Sequence, residues 1–212
     1  MHPYFIGDAF EHFTQRVLPA LLPNLSPEKG DSAELRHLML KKKSTLRSTL
    51  PAHLTTSSVV LAPDERQVLL LLHKKIGEWV YPGGHADGDW HLLRSALREC
   101  FEETGLEKVE VLPPRQIPDS KVAIHCPHLF QRFAIKPNSR DPEHVHFDSV
   151  FVFRALSKKA NFDPAESNNL CWVDLELLKE HSLRRDGNVV DGIDALTARI
   201  CLFTMQSALG SL

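Results

Sequence analysis

Residues 83–106 combine a glycine pair with an amphipathic helix, and this combination constrains the fold more than any other part of the chain. The helix is predicted from about Trp90 to Thr104, between Asp89 as N-cap and Gly105 as C-cap. Its apolar side chains form a stripe that can pack on a sheet. The stripe consists of Leu93, Ala96, Leu97, Cys100 and Phe101. The helix therefore belongs to a fold in which it covers a β-sheet.

Three carboxylates lie off that stripe, with Arg98 beside them. Glu99, Glu102 and Glu103 share one helix face, because an α-helix has 3.6 residues per turn. Like charges at these spacings repel by roughly 0.2–0.5 kcal/mol per pair. Their concentration indicates a role in binding divalent cations, and Mg²⁺ takes oxygen ligands that it usually shares with substrate phosphates. The acidic face therefore predicts metal-assisted chemistry on a phosphate compound.

The composition is that of a globular protein and excludes several classes of function. A chain of 212 residues with 42% hydrophobic residues can form one domain plus an extension. The net charge of −2 gives no evidence for nucleic-acid binding. The four cysteines lack paired spacing, which predicts reduced thiols in a cytoplasmic protein. We find neither a signal peptide nor an apolar run that could span a bilayer, so we predict no membrane association.

Periodicity predicts helices before residue 50 and an alternation of strands and helices after it. Strands are predicted at 57–61, 68–72, 79–81, 107–112, 121–126, 129–135, 145–155 and 170–173, and later helices at 174–181 and 190–208. This order predicts an α+β fold in which helices flank a mixed sheet. We predict a helical N-terminal extension at 1–50, a main domain at 51–182 and a C-terminal helix at 183–212 packed on that domain.

The segment from Gly84 resembles the Nudix box, G-x5-E-x7-R-E-U-x-E-E-x-G-U, where U is a bulky aliphatic residue. The matching residues are Gly84, Arg98, Glu99, Glu102, Glu103, Gly105 and Leu106, with Cys100 at the first U. One position departs from the motif, because Trp90 replaces its first glutamate and Asp89 precedes it. The resemblance extends over roughly residues 54–182. It implies an α/β/α sandwich, with residues 51–182 as a Nudix hydrolase domain.

The resemblance also implies an activity, namely hydrolysis of a diphosphate bond in a nucleoside diphosphate linked to another moiety. Glu102 and Glu103 would then bind Mg²⁺ or Mn²⁺, with help from Glu99 and the carbonyl of Gly83. Arg98 would hold these carboxylates in place through charge-assisted bonds. A bound water would attack phosphorus after a carboxylate takes its proton. The candidates for that base are Glu99 and Glu166, which lies on a loop before the strand at 170–173.

A second group of polar residues lies at His144, His146 and Asp148, which alternate with Val145 and Phe147. On a strand these three side chains point to one face, where they could bind a metal or the substrate phosphate. The alternative is polar and apolar alternation on a half-exposed antiparallel strand. His85 follows the glycine pair and is predicted either to border the site or to form a loop hydrogen bond.

Two other functions compete with a hydrolase that acts on a small-molecule diphosphate. The first is a Nudix-like module that senses a nucleotide without cleaving it, and Trp90 is the residue that favours it. The second is a diphosphate isomerase, for which Cys126 is the only conceivable nucleophile or acid, although a buried thiol explains it better. The N-terminal helices and the 113–144 segment are predicted to shape substrate choice or to form a homodimer contact.

Overall fold

A mixed β-sheet runs through the centre of the computed structural model, which describes residues 9–21, 30–139, 141–182 and 193–210. In these ranges the strands are β1 (Ala52–Leu61), β2 (Gln67–His73), β3 (Trp79–Val80), β4 (Gly83–His85), β5 (Val109–Leu112), β6 (Leu129–Ile135), β7 (His144–Ala155) and β8 (Ser167–Asp174). The helices are α1 (Ala9–His12), α2 (Leu18–Leu21), α3 (Gly30–Met39), α4 (Leu92–Thr104), α5 (Ser120–Ala123), α6 (Leu175–Ser182) and α7 (Ala195–Leu209). A π-helical turn at Phe13–Val17 joins α1 to α2.

Strand β1 organises the sheet because it pairs with three other strands. It is antiparallel to β2 and β4 and parallel to β7. Strand β7 then pairs with β5 and β6, whereas β2 pairs with β3 and β8. Every residue of β1 is buried, since the sheet is covered on both faces. The short strand β4 carries the glycine pair, so its pairing with β1 fixes the start of the box.

Two hydrophobic clusters lie on the two faces of the sheet. One joins the sheet to the apolar side of α4 and to the N-terminal helices, through residues such as Phe13, Leu35 and Leu93. The other joins it to α6 and α7, through residues such as Leu178 and Met205. The predicted α+β fold with an α/β/α sandwich is therefore confirmed. In the described ranges, no helix has the length and apolar content required to cross a membrane.

Two predicted elements are wrong, and local hydrogen bonds explain both. The strand predicted at 121–126 is instead the end of helix α5 and a turn, because the Asp119 side chain accepts a bond from the backbone N–H of Lys121. The N-terminal helices were predicted to continue to residue 50, but α3 ends at Met39 and turns follow. The Ser44 hydroxyl donates to the carbonyl of Lys41, a bond that favours turns over helix.

The C-terminal end of the box helix, α4, agrees with the prediction, but its N-terminal end does not. Gly105 is the C-cap in the left-handed conformation, with φ of 62°, as predicted. The helix begins at Leu92 rather than at Trp90, and His91 is its N-cap. Asp89 instead accepts a bond from the His91 N–H at 2.8 Å and pairs with Arg94 at 2.7 Å. The predicted last helix begins within residues 183–192, which lie outside the described residues.

Candidate functional site

The glycine pair brings the backbone of β4 into direct contact with the acidic face of α4. A Cβ atom on Gly84 would lie 2.5 Å from the carboxylate carbon of Glu99, so only glycine leaves room for that carboxylate. The N–H of Gly83 donates a 2.8 Å hydrogen bond to Glu103 Oε2. The loop and the helix therefore form one unit in which the carboxylates are held against backbone.

Arg98 links the carboxylates to the loop that precedes the helix. Its Nη1 lies 2.8 Å from Glu99 Oε1 and 3.0 Å from Glu102 Oε2. Its Nη2 donates a 2.8 Å bond to the carbonyl of His85 and lies 3.4 Å from Asp87 Oδ2. One planar guanidinium thus fixes two carboxylates and one backbone carbonyl, an arrangement that a lysine could not reproduce.

Glu103 is the buried member of the three acids. It is buried, and burial raises the pKa of its carboxyl to about 7, although the Gly83 hydrogen bond lowers it. The charges of Glu99 and Glu166 raise the pKa further. Burial likewise raises the pKa of Glu99, against the opposing effect of Arg98. A bound cation would stabilise the negative charge of these carboxylates, which burial disfavours.

The carboxylates line a cavity of about 840 Å³. Its lining includes two groups of polar side chains, the acids Glu99, Glu102, Glu103, Asp163 and Glu166 and the group His85, His146 and Asp148. Glu166, which was predicted on a loop near the helix, is exposed and lies at this cavity. All of these residues come from β4, α4, β7 and the loop before β8, so the sheet brings together side chains that are far apart in sequence.

A second cavity, of about 900 Å³, lies along the other side of α4. Nonpolar side chains form most of its lining, among them Leu97, Phe101 and Val111. Phe101 was assigned to the apolar stripe that packs on the sheet, but its side chain is 53% exposed. Glu99, Glu102 and Glu103 do not line this cavity, so the candidate site is the smaller one.

Two of the three polar residues of β7 are buried, so the alternative of a half-exposed strand is wrong for His144 and Asp148. His144 and Asp148 are buried, and His146 is half-buried. Asp148 Oδ1 accepts a 2.9 Å bond from the Thr55 hydroxyl, and burial raises the pKa of Asp148 to about 6. Burial lowers the pKa of His146 to about 3 and that of His85 to about 4. These imidazoles are therefore neutral near pH 7 and do not offer positive charge to a phosphate.

A further histidine, His53, was missed by the sequence analysis. It lies on β1 directly opposite His146 in the parallel β1–β7 pairing. Its ring centroid is 4.7 Å from that of His146 and 5.3 Å from that of His85. The pattern gave no signal for it, because the strand was predicted only from residue 57 whereas β1 begins at Ala52, and its neighbours depend on a strand order that the pattern does not reveal.

Trp90, the residue that departs from the motif, has a packing role. Its side chain is 5% exposed, and its ring lies 4.8 Å from Phe10 and 5.1 Å from Phe13. Its Nε1 donates a 2.8 Å bond to the carbonyl of Lys42. The position that would carry a glutamate in the motif thus holds the N-terminal helices against the box, and Trp90 does not line the acidic cavity.

Comparison with protein families identifies the domain that contains this site. A family model described as NUDIX domain matches residues 52–191, about two thirds of the chain. The match begins at the first residue of β1 and includes the glycine pair, the box helix and both groups of polar residues.

Individual relatives agree with that match. The chain is 28% identical over 141 residues to "m7GpppN-mRNA hydrolase NUDT17" of Danio rerio, covering 62% of this chain and 45% of that protein. It is 27% identical over 115 residues to "Putative 8-oxo-dGTP diphosphatase" of Bacillus subtilis (strain 168), covering 54% of this chain and 62% of that protein. The matched region thus spans less than two thirds of either curated relative.

A solved structure supports the fold. The crystal structure of a NUDIX-family hydrolase from Clostridium perfringens has a TM-score of 0.55 and 24% sequence identity with this chain. The similarity covers 73% of this chain and 96% of that chain. At this identity the likeness speaks for the architecture of sheet and helices alone.

Proposed function

The chain belongs to the Nudix family, and on that premise we propose that it hydrolyses a diphosphate bond in a nucleotide derivative with the help of a divalent cation. One observation carries the proposal. The carboxylates of Glu99, Glu102 and Glu103 meet at one wall of a cavity, and Arg98 holds two of them in place. The cavity volume of about 840 Å³ lies within the range of roughly 300–1,000 Å³ that suits a small ligand.

The donor set fits Mg²⁺ or Mn²⁺. Both ions prefer carboxylate and carbonyl oxygens, and Mg²⁺ is usually shared between one or two carboxylates and substrate phosphates. Glu102 and Glu103 would be its main ligands, with Glu99 and the carbonyl of Gly83 in support. When bound, the cation would neutralise diphosphate oxygens and lower the pKa of a water that attacks phosphorus.

The chain's own residues provide positioning and proton transfer. Arg98 fixes the orientation of Glu99 and Glu102 and connects them to the His85 carbonyl, so the ligand face is set before substrate arrives. We assign the general base to Glu166, because it is exposed at the cavity whereas Glu99 is engaged by Arg98. His85, His146 and Asp148 line the same cavity and are our predicted contacts for the rest of the substrate, with His144 beside them.

The names of two relatives support a nucleotide derivative as the substrate class. Their names refer to an mRNA cap and to an oxidised deoxynucleoside triphosphate, and both compounds join a nucleoside to a chain of phosphates. We therefore propose a nucleoside di- or polyphosphate derivative as the substrate here. The loops outside the box would select the group attached to the phosphates.

A hydrolysis screen tests the proposal. Purified protein is incubated in Mg²⁺ or Mn²⁺ with nucleotide sugars, dinucleoside polyphosphates, ADP-ribose, capped RNA and oxidised nucleoside triphosphates, and the released phosphate products are quantified. We expect turnover of at least one compound and a loss of about 10³-fold in Glu102→Gln, which removes a metal ligand but keeps the side-chain shape.

Glu107→Gln is the matched control, because Glu107 is an exposed acid just beyond the same helix and lies outside the acidic cavity. It should keep wild-type turnover. Full turnover in Glu102→Gln would refute the assigned mechanism. Tight binding of a nucleotide in Mg²⁺ without any product across the panel would instead support the nucleotide-sensing module.

A further inference from the structure

Four histidines from three parts of the sequence meet beside the acidic cavity, and two of them, His85 and His146, line it. His53 lies on β1, His85 ends β4, and His144 and His146 begin β7. Strand pairing explains the meeting, because His53 is the register partner of His146 and His85 is the partner of Thr55 on β1. Their ring centroids are separated by 4.7–5.3 Å in the contacts they make. We call these residues the histidine cluster.

We propose that His53, His85 and His146 form a binding site for a transition-metal ion such as Zn²⁺, distinct from the carboxylates of the box. One imidazole nitrogen from each of the three lies within 4.8 Å of the others. Tetrahedral Zn²⁺ with Zn–N bonds of about 2.0–2.1 Å would bring these nitrogens about 3.4 Å apart. Metal binding would therefore shorten these separations by at most about 1.4 Å.

Hydrogen bonds at Nδ1, the ring nitrogen that faces away from the centre of the cluster, fix the protonation of two rings, as metal binding requires. His53 Nδ1 lies 3.1 Å from the carbonyl of Thr49, and His144 Nδ1 lies 2.8 Å from that of Pro142. A carbonyl accepts only from a protonated nitrogen, so each Nδ1 carries the proton and each Nε2 keeps its lone pair. Metal-binding histidines are fixed in this way in known proteins.

The inner nitrogen of His53 makes no hydrogen bond of this kind within the described part of the chain. His53 Nε2 is buried and has no hydrogen-bond partner among the described residues. A buried polar atom without a partner is costly, typically by about 1–3 kcal/mol. A metal ion at the centre of the cluster would satisfy this atom, whereas the protein alone does not.

His144 stands next to the three ligands as a fourth donor. Its Nε2 shares a 3.0 Å hydrogen bond with His146 Nε2, a bond that a metal ion at either nitrogen would replace. Its ring also stacks on His53 at a centroid distance of 5.1 Å. In the metal-loaded site, His144 would complete the coordination or hold His146 in place.

The chemistry of the cluster selects the class of metal. Imidazole nitrogen suits Zn²⁺, Co²⁺, Ni²⁺ and Cu²⁺, whereas Mg²⁺ prefers oxygen. A neutral imidazole offers one ring nitrogen with a lone pair, and in His53 the bond from Nδ1 to the Thr49 carbonyl leaves Nε2 as that atom. Neutral imidazoles also bind an anion less well than imidazolium would, which disfavours a simple phosphate site.

The location suggests what the ion does. It would join β1, β4 and β7 beside the glycine pair, and the carbonyl of His85 is the group that Arg98 already holds. His85 and His146 also line the acidic cavity, so one side of the ion would face the substrate. The site goes beyond the proposed hydrolysis and does not depend on it, since a chain without turnover could still bind the ion.

Titration with Co²⁺ tests the site directly. Metal-free protein is titrated in excess Mg²⁺, which occupies the carboxylates, while visible absorption reports tetrahedral nitrogen coordination. We expect one Co²⁺ per chain and at least tenfold weaker binding in His146→Gln. Bound zinc measured after dialysis and the rise in melting temperature with Zn²⁺ should follow the same order.

Two matched variants separate the histidine cluster from other metal-binding groups. Glu102→Gln should keep the Co²⁺ spectrum although it loses hydrolysis. His125→Gln should also keep it, because His125 lies in a different group of rings with His12 and His91. If His146→Gln does not fold by circular dichroism, His85→Gln on the half-buried end of β4 carries the same expectation. Absence of Co²⁺ binding in the wild type, or unchanged affinity in the folded variant, would overturn the proposal.

Discussion

The acidic face of α4 and two members of the histidine cluster, His85 and His146, line one cavity, and the two groups, called below the acidic end and the histidine end, differ in their electrostatics. The acidic face gathers Glu99, Glu102 and Glu103, and one arginine compensates part of their charge. The histidine cluster is buried or half-buried and its members His53, His85 and His146 have lowered pKa values. The first end offers oxygen and negative charge, and the second offers neutral nitrogen.

The comparison shows how a fold can place oxygen and nitrogen side chains in two separate groups near one cavity. The acids come from successive turns of a single helix, so their grouping is local in sequence. The histidines come from three strands, so their grouping depends on the register of β1 with β4 and β7. The glycine pair lies at the border of the two groups, because His85 follows it and Glu99 packs on it.

Gly84→Ala should disrupt the acidic end and leave the histidine cluster intact. Its effect should be larger than those of the changes described below. The new Cβ would lie 2.5 Å from the Glu99 carboxylate, which is the mobile end of a side chain and can move aside. We expect the fold to persist and hydrolysis to fall about 100-fold, since a misplaced catalytic group costs roughly that factor. Steady-state kinetics and Co²⁺ titration measure the two ends separately.

A double variant provides the control for Gly84→Ala. If the alanine acts through Glu99, it should have little further effect in the Glu99→Gln background. A full and independent loss in that background would show that Gly84 acts by another route, such as a change in the β1–β4 pairing. Loss of Co²⁺ binding in Gly84→Ala would show that the two ends are not separable.

The cation affinities of the two ends should depend differently on pH. Glu103 has a pKa of about 7 and must lose its proton to bind a cation, so Mg²⁺ affinity should fall about tenfold for each unit below pH 7. His146 and His85 have pKa values of about 3 and 4, and burial also lowers the pKa of His53, so Co²⁺ affinity should fall less steeply than Mg²⁺ affinity between about pH 7 and 5. Calorimetric titrations across this range provide the comparison, and parallel curves would contradict it.

The raised pKa of Glu103 also makes the stability of the folded protein depend on pH. Its folded pKa of about 7 exceeds the ordinary value of 4.5, so the folded state binds more protons between these values. The contribution of this group to the stability of the metal-free protein is therefore present at low pH and is lost as pH rises through about 7. Glu103→Gln should remove this dependence, which thermal unfolding in chelator would record.

The sequence was sufficient for the acidic end because its geometry is local. Helix periodicity predicts that Glu99, Glu102 and Glu103 share one face. The resemblance to the motif predicts that Arg98 holds these carboxylates in place. The mixed sheet and its flanking helices also followed from the order of periodic segments. The wrong strand at 121–126 contains alternating apolar residues, but the cap at Asp119 favours a helical turn there.

The histidine cluster and the role of Trp90 could not be derived in the same way. His53 approaches His146 only because β1 and β7 are parallel neighbours, and strand order is not encoded in the local pattern. Trp90 reads as a defect in the motif, yet its indole contacts Phe10 and Lys42, each more than forty residues away. Both features depend on contacts between distant segments, which a single sequence does not specify.

Binding of Mn²⁺ followed by electron paramagnetic resonance tests the central claim, that a divalent cation for hydrolysis binds at the acidic end. Zn²⁺ is first added to fill the histidine cluster, and free Mn²⁺ is then measured with wild type, Glu103→Gln and His146→Gln. We predict that Glu103→Gln weakens Mn²⁺ binding at least tenfold while His146→Gln leaves it unchanged. Unchanged binding in Glu103→Gln, or its loss in His146→Gln, would contradict the account.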